Sequence, residues 1–406
     1  MPRTLLRSLL VCVLLAASQL AYAQKPKNEP RRPKFPVGVD TNNAQVYYDL
    51  GLEKLDRDPD LAADAFYWAA RINPTMADAY YARRCALLLS DKYRFQRYYQ
   101  GDRRTIQSDD VKRIDSLYYY SLTINPFLYR KLDLRLYNAF ISNFADEVAR
   151  RNNGVSANEV QYEVQRWLND GAPPSFRAWQ AYGDGRFTDA LRYYADAIKQ
   201  AKQKAEYRAD RGRLLFQLNQ ADSALVELTQ AVDEMRKIDK KDLVFVYSSK
   251  ALYEHSIGLV QERLGNSAAA KEAFGRALQE DLSYFPAHVQ LGYLALEAKD
   301  TTTALSEMDL AIQIRGDDPM LRYAYGYSLA VSGKYQDAEV QLRKAIELDP
   351  VFAAPYNELG EVLDGEGKVS DALAQYRSFL ALSSQSDLRR KSVEERVKVL
   401  ASKSNE

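Results

Sequence analysis

Four glycines recur at a constant spacing of 34 residues in the second half of the chain, and each is followed twelve residues later by an alanine. The glycines are Gly258, Gly292, Gly326 and Gly360, and the alanines are Ala270, Ala304, Ala338 and Ala372. A fixed period of this length is typical of a solenoid, in which one supersecondary unit is copied and stacked on its neighbours. The sequence therefore predicts a repeat array and not a domain closed around one large core.

The alanines open a second pattern that extends beyond the four regular units. Each is followed by a large apolar residue after four positions and, in all but the last unit, by another alanine after seven. The starting positions are Ala62, Ala190, Ala224, Ala270, Ala304, Ala338 and Ala372. Such residues share one helix face, where small side chains allow close approach and the large one fills the gap. We predict that they begin the second helix of each unit and that the periodic glycine lies where the first helix crosses it.

Further glycines, suited to a left-handed turn, separate the two predicted helices of a unit at Gly185, Gly265, Gly333 and Gly367. Together these residues resemble the tetratricopeptide repeat, whose pattern is Leu-Gly-x2-Tyr, then Ala-x3-Phe, then Pro over 34 residues. The resemblance covers about residues 175–384, with one more unit at 44–74. It implies an all-α, right-handed superhelical solenoid of helix hairpins, preceded here by an irregular helical N-terminal part.

Breaks in the repeat pattern divide the chain into six segments. They are a signal peptide at 1–23, a disordered linker rich in proline and basic residues at 24–43, tetratricopeptide-like repeats at 44–126 with an insertion at 91–108, a helical connector or irregular repeat at 127–174, the regular array at 175–384 and a C-terminal capping helix at 385–406. The capping helix is predicted from one apolar stripe, Leu388, Val393, Val397 and Leu400, which would cover the open end of the array.

The first segment has the features of an export signal. Arg3 and Arg7 precede a short apolar run, and the segment ends in Ala21-Tyr22-Ala23, with small residues where a signal peptidase cleaves. The alternative is a membrane anchor, but the run is too short to cross about 30 Å of hydrocarbon. No later stretch is apolar enough to cross a membrane. We expect an exported protein in the periplasm or at the surface of a bacterium, with no transmembrane segment after cleavage.

Composition argues against several functional classes. Without Arg3 and Arg7 the 56 basic residues become 54 against 55 acidic ones, a balance that does not favour nucleic acid as a partner. Cys85 would be the one remaining cysteine, in an apolar helical stretch, which excludes an intramolecular disulfide. His255 and His288 are the two histidines, too few for a histidine metal site without further ligands. We therefore expect no metal, no cofactor and no catalytic activity.

Binding is better supported, because the family resemblance implies that the first helices line a concave groove. Counting from the glycines predicts a set of groove-facing binding residues, namely Arg213, His255, Tyr293, Tyr323, Tyr327, Asn357 and Glu361. The three tyrosines should form a stripe suited to an extended peptide or a sugar ring, because tyrosine combines apolar area with a hydroxyl group. The alternative is that these tyrosines only pack between helices.

The far end of the predicted groove is acidic, at Glu361 and Asp364, which favours a basic or hydroxyl-rich ligand. The peptide-carboxylate clamp of the family, a lysine and an asparagine followed by basic residues, is not present at these positions. We predict a non-catalytic scaffold that binds a protein or peptide partner. The alternative function is a carbohydrate or cell-wall binding protein, with weak hydrolase activity from paired carboxylates.

The insertion supplies a second candidate surface, an accessory loop in which basic residues alternate with aromatic ones. The predicted contact residues are Lys92, Arg94, Arg97, Tyr98, Arg103 and Arg104. Such a mixture suits single-stranded nucleic acid, but for an exported chain an anionic polymer, lipid headgroups or an acidic protein fits better. The alternative is a solvated loop with its aromatic residues packed on the solenoid.

Overall fold

The computed structural model describes residues 29–90, 108–151, 154–238 and 249–403, and within these ranges the regular structure is entirely helical. Its nineteen helices, numbered in chain order, are α1 Ala44–Lys54, α2 Pro59–Ile72, α3 Ala77–Leu89, α4 Ser108–Ile124, α5 Asp133–Arg151, α6 Ala157–Asp170, α7 Pro174–Gly183, α8 Phe187–Gln200, α9 Ala205–Gln217, α10 Ala221–Ile238, α11 Lys250–Arg263, α12 Ser267–Glu280, α13 Phe285–Glu297, α14 Thr301–Ile314, α15 Pro319–Val331, α16 Tyr335–Leu348, α17 Ala354–Gly365, α18 Val369–Leu382 and α19 Arg390–Lys403. Consecutive helices pack in pairs along the array, so the predicted all-α solenoid of hairpins is confirmed.

The predicted crossing point within a hairpin is confirmed at Gly258. A methyl group added there would lie 2.3 Å from the nearest ring carbon of Phe274, the large residue of the Ala270 helix. Phe274 itself is fully buried. The missing side chain of the glycine therefore allows the two helices to approach closely enough for the ring to fill the space between them.

The turns within the hairpins also follow the prediction. Gly185, Gly265, Gly333 and Gly367 all have positive φ, between 74° and 79°. Two repeats lack a glycine here, and Asn219 at φ 59° and Lys299 at φ 60° take the same left-handed conformation. Asparagine tolerates this region better than most side chains, whereas lysine at such a position carries a conformational cost.

The chain divides into two compact units. Unit 2 comprises residues 47–70 and 75–287, and in it α3 packs on α4, although the insertion separates them in sequence. The stretch described as a helical connector or irregular repeat at 127–174 contains the helices α5 and α6. Cys85 is fully buried, in agreement with the predicted structural role. The N-terminal part is thus helical but departs from the 34-residue repeat, as predicted.

Unit 1 comprises residues 1–46, 71–74 and 288–406, of which the structure describes 29–46, 71–74 and 288–403. Its hydrophobic core extends from the hairpins into α19, which contributes Val393 and Leu400, with Val397 packed beside them. The capping stripe is therefore found, with one correction. Leu388 is 97% exposed, because it lies in the loop before α19 begins and does not share that helix face.

The predicted linker at 24–43 differs from a disordered segment over its last residues. The Asp40 carboxylate accepts hydrogen bonds from the Ser384 hydroxyl at 2.8 Å and from the Gln385 backbone N–H at 2.7 Å. The Asn42 side-chain amide donates to the Ala381 carbonyl at 2.7 Å. Composition indicated an extended chain but contained no signal for these contacts, because their partners lie more than 300 residues away in the sequence.

Candidate functional site

Three tyrosines occupy equivalent faces of α13 and α15 in unit 1. Tyr293 and Tyr327 follow the periodic glycines directly, and Tyr323 lies one helical turn before Tyr327. Tyr327 is 38% exposed, while Tyr293 and Tyr323 are partly buried. The ring of Tyr323 packs edge-on against Phe352 with centroids 5.4 Å apart. The stripe therefore combines one solvent-exposed ring with two rings that are partly buried by neighbouring side chains.

Burial perturbs the protonation of two of these tyrosines, Tyr293 and Tyr323, and a carboxylate contributes at Tyr323. Burial, and then the carboxylate of Glu358, raise the pKa of Tyr323 to about 12. Burial raises the pKa of Tyr293, and Tyr327 adds to the effect. The hydroxyls of Tyr293 and Tyr323 are therefore protonated near neutral pH and available as hydrogen-bond donors.

The next first helix, α17, adds an amide and two carboxylates. The Asn357 side-chain nitrogen donates to Glu361 Oε1 at 2.8 Å. Asn357 is only 5% exposed, and its Oδ1 has no hydrogen-bond partner. Burial raises the pKa of Glu358 to about 7, with the Glu361 carboxylate adding to the rise and Arg389 opposing it. We call the side of α13, α15 and α17 that bears Tyr293, Tyr323, Tyr327, Asn357, Glu358 and Glu361 the first-helix face of unit 1.

A basic residue near this face is already engaged by another acid. Arg389, just before α19, donates to both oxygens of Asp387, at 3.0 Å from Nε and 2.7 Å from Nη2. Its guanidinium also lies 5.1 Å from the ring centroid of Phe379. Arg389 is therefore an electrostatic neighbour of Glu358, but its hydrogen bonds go to Asp387.

Two other acidic residues at this end of the array are paired with basic residues of the protein. Asp364, predicted with Glu361 to form the acidic end, receives two hydrogen bonds from Arg396, at 2.5 and 2.7 Å. Glu366 pairs with Lys368 at 2.9 Å. The acidic character that sequence analysis assigned to Glu361 and Asp364 thus belongs, in the structure, to Glu361 and Glu358.

Two of the predicted groove residues belong to unit 2. Arg213 lies on α9 with its side chain only 11% exposed, and it donates to Asp210 at 3.1 Å. Its guanidinium lies 5.1 Å from the ring centroid of Tyr253. Arg130 also donates to Asp210 at 3.1 Å, so one carboxylate serves two arginines. This arrangement is an interior charge network, which a position count along the helix does not distinguish from an exposed groove position.

His255 lies in the interior of unit 2. It is 1% exposed, and its ring packs against Phe274 and Tyr284 with centroids 5.4 Å away in each case. Nδ1 is 3.3 Å from the Tyr284 hydroxyl. Burial lowers its pKa to about 3, so the imidazole is uncharged near neutral pH. The packing environment favours a structural role for this histidine.

The structure therefore brings together Tyr293, Tyr323, Tyr327, Asn357 and Glu361 in unit 1, whereas Arg213 and His255 lie in unit 2. Sequence reasoning missed Glu358 and Arg389. A periodic count placed Glu358 one position beyond the expected face, and Arg389 lies in a loop with no repeat position. The accessory loop residues from Lys92 to Arg104 lie outside the described residues.

Within the described ranges, no group of three histidine, cysteine or acidic residues is arranged to hold a metal ion. Burial raises the pKa of Cys85, which opposes formation of the reactive thiolate. A search of the described helices for one long and apolar enough to span a bilayer found none. The first-helix face of unit 1 can thus interact with a ligand through hydrogen bonds, through its tyrosine rings and through its negative charge.

Comparison with known proteins gives a consistent family assignment. The tetratricopeptide-repeat model matches residues 177–236, 256–319 and 323–387. The chain is 22% identical over 198 residues to the BBSome complex member bbs-4 of Caenorhabditis elegans, covering 48% of this chain and 42% of that protein. The chain thus spans less than half the length of this curated relative.

Two solved structures have a similar repeat arrangement. One is YrrB, described as a TPR protein with an unusual peptide-binding site, at 20% identity over 50% of this chain and 97% of that one, with a TM-score of 0.40. The other is the C-terminal part of a TPR repeat-containing protein of Cytophaga hutchinsonii, at 14% identity over 50% and 77%, with a TM-score of 0.43. These low values transfer no ligand to this chain, and the family match gives no support to the carbohydrate-binding alternative.

Proposed function

Because the chain belongs to the tetratricopeptide-repeat family, which generally provides scaffolds for protein interactions, we propose that it is a non-catalytic scaffold. Its role is to bind an extended segment of a partner protein in a concave groove formed by the first helices. The first-helix face of unit 1 is the part of this groove that makes the contact. A likeness in fold alone does not specify a ligand, so the proposal rests on the side chains of this face.

The observation that carries the proposal is the combination of an exposed tyrosine with a buried, unpaired amide oxygen. Tyr327 presents 38% of its surface to solvent beside two partly buried tyrosines. Asn357, on the next first helix, has an Oδ1 with no partner. A buried acceptor of this kind carries a desolvation cost that a ligand N–H can relieve. An extended peptide supplies such N–H groups along its backbone together with side chains for the aromatic surface.

We further propose that the protein is exported and acts in the bacterial periplasm or at the cell surface. The support is the sequence of residues 1–23, where two arginines, an apolar run and Ala21-Tyr22-Ala23 follow in the order of a signal peptide. N-terminal sequencing of the protein from fractionated cells checks this directly. A mature chain beginning at Gln24 in the envelope fraction is the expected result, and an uncleaved chain in the cytoplasm contradicts it.

A pair of exposed tyrosines provides a matched test of the binding surface. Tyr327 lies on the first-helix face and is 38% exposed, whereas Tyr335, at the start of the second helix α16, is 40% exposed. A photo-crosslinking amino acid placed at either position reports which surface a partner touches in the native envelope. We expect a partner segment to be crosslinked from position 327 and not from position 335.

The segment recovered in this way is then synthesised and its affinity measured with purified variants. Tyr327→Ala should weaken binding at least tenfold, because an aromatic anchor at the centre of an interface contributes much of its energy. Tyr335→Ala should remain within about twofold of the unmodified protein. Equal crosslinking at the two positions, or equal affinities of the two variants, would show that the tyrosine stripe does not bind the partner.

A further inference from the structure

Glu358 and Glu361 differ from Asp364 and Glu366 in forming no ion pair among the described residues. Asp364 is held by Arg396 and Glu366 by Lys368, as ordinary surface ion pairs. Glu361 accepts one hydrogen bond from the neutral amide of Asn357, and Glu358 has neither a hydrogen bond nor an ion pair among the described residues. The first-helix face of unit 1 thus carries two carboxylates without an ion pair at its α17 end.

The buried amide of Asn357 provides a second and independent indication of a ligand. Asn357 is only 5% exposed, yet its Oδ1 has no hydrogen-bond partner. Because the oxygen and nitrogen of an amide share one carbon atom, this oxygen lies beside the Glu361 carboxylate to which the nitrogen donates at 2.8 Å. Asn357 Oδ1 and the Glu361 carboxylate are thus two acceptors on the same side of α17, and Asn357 Oδ1 has no donor.

The tyrosines add an aromatic wall on the same face. Tyr323 and Glu358 are electrostatic neighbours, and so are Tyr293 and Tyr327. Tyrosine rings attract a cation placed over their faces, and carboxylates attract it by charge and hydrogen bonding. The combination of two carboxylates, an amide oxygen and tyrosine rings is complementary to a guanidinium or ammonium group.

We propose that the α17 end of the first-helix face binds a basic side chain, arginine or lysine, of the partner segment. This inference rests on the proposed function, because it identifies the chemistry of the partner at the same surface. The cation would pair with Glu358 and Glu361, donate an N–H to Asn357 Oδ1, and lie against Tyr327 or Tyr323. A basic residue also relieves the mutual repulsion of two neighbouring carboxylates.

The charged and titratable groups that interact with Glu358 come from four segments. They are Glu361 on α17 itself, Tyr323 on α15, Tyr376 on α18 and Arg389 before α19. Arg389 is the basic group among them, and its donors are directed to Asp387. With the pKa of Glu358 raised to about 7 by burial and Glu361, protonation should weaken cation binding as the pH falls from 8 to 6.

The experiment uses the purified mature chain and the partner segment recovered by crosslinking, with one central basic residue present as arginine, lysine or neutral citrulline. Citrulline keeps the shape of arginine and removes the charge. We expect the citrulline peptide to bind at least tenfold more weakly at pH 8, and the difference to shrink at pH 6. Glu358→Gln/Glu361→Gln should reduce arginine-peptide binding to the level of citrulline.

Two controls separate charge from folding. Glu395→Gln removes one negative charge from the exposed surface of α19, as Glu361→Gln does from α17, and should leave affinity within about twofold. Glu361→Gln alone alters an exposed side chain and serves where the double variant has lost helicity. Equal binding of arginine and citrulline peptides, or an unaffected glutamate variant, overturns the cation site.

The failure of this inference is distinguishable from failure of the proposed function. Tyr327→Ala should weaken arginine and citrulline peptides alike, because it removes contact area that both share. If Tyr327→Ala weakens both while the glutamate variants weaken neither, the groove function stands and the cation site is wrong. If none of these substitutions changes binding, both proposals are wrong.

Discussion

Replacing Gly258 by alanine should loosen the hairpin of α11 and α12. The added methyl carbon would lie 2.3, 2.6 and 2.7 Å from three ring atoms of Phe274, well inside ordinary contact distance. Phe274 is fully buried and its ring is also packed against His255, so it has little room to move. Overpacking of this kind costs about 1–3 kcal/mol. Because the ring has little room to move, the cost should lie in the upper half of that range, about 2–3 kcal/mol. The better helix propensity of alanine offsets about 0.5–1 kcal/mol, which leaves a net loss of about 1–2 kcal/mol.

Gly275 provides the matched control, since it is the residue directly after Phe274 in the same hairpin. A methyl group added at Gly275 would meet no atom within 4 Å. Gly275→Ala should therefore stabilise α12 by about 0.5–1 kcal/mol through helix propensity alone. The same glycine-to-alanine change, made at two positions seventeen residues apart, is therefore expected to destabilise the hairpin at one position and to stabilise it at the other.

Amide hydrogen exchange measured by mass spectrometry resolves this prediction locally, which suits an array whose repeats need not unfold together. Peptides covering residues 250–280 should exchange about 5–30 times faster in Gly258→Ala. They should exchange about two to five times more slowly in Gly275→Ala. Protection in Gly258→Ala equal to or greater than that of the unmodified protein would refute the close-crossing argument.

Three further predictions concern buried or anchored charges. Arg71 donates at 3.0 and 2.7 Å to Asp349, whose side chain is 6% exposed, so Arg71→Ala should cost about 3 kcal/mol in the free energy of unfolding. Burial raises the pKa of Asp349, so its carboxylate takes up a proton more readily in the folded state than in the unfolded state. A protonated Asp349 has less need of Arg71, and urea titrations should therefore find a smaller loss of unfolding free energy in Arg71→Ala at pH 5 than at pH 7. Burial lowers the pKa of His255 to about 3, so between pH 6.5 and 5 the histidine takes up a proton in the unfolded state and not in the folded state. Lowering the pH over this range should therefore reduce the free energy of unfolding by about 2 kcal/mol. The same pH dependence of stability in His255→Gln would contradict this assignment. Burial tends to raise the pKa of Asp40, but hydrogen bonds, first that from the Gln385 backbone N–H, lower it overall. The folded state therefore favours ionised Asp40, and the 29–43 segment should detach as the pH falls below about 4. Asp40→Asn should speed hydrogen exchange of the Gln385 amide at pH 7, and an unchanged rate would show that the contact is absent.

Much of the fold follows from local and periodic signals. A glycine and an alanine separated by twelve residues recur because each hairpin repeats the same crossing, and a turn glycine recurs because each hairpin needs a left-handed residue. Even the interrupted N-terminal part was predictable as helices, since proline and glycine mark their ends. The anchored segment at 29–43 was not predictable, because its hydrogen-bond partners lie at the opposite end of the chain.

The candidate site was predictable only in part. The repeat pattern identified Tyr293, Tyr323, Tyr327 and Asn357 as residues of one face, because equivalent positions in successive repeats align. It assigned His255 to a groove position by the same rule, although Phe274 and Tyr284 bury it. Exposure depends on the size of the neighbouring side chains, and a count along one helix contains no information about them.

The sequence by itself determined the repeat, the pairing of helices and the face on which a ligand would be sought. These follow from helix geometry and from the absence of a side chain at each crossing glycine, both of which are local. Only the tertiary structure decided which charges on that face are neutralised. Asp364 is paired because Arg396 of the capping helix reaches it, while Glu358 and Glu361 meet no such partner among the described residues. Ion pairing depends on distances between segments, which the repeat period does not encode. The contrast between paired Asp364 and the unpaired Glu358 and Glu361 is the reason for proposing a basic side chain in the partner.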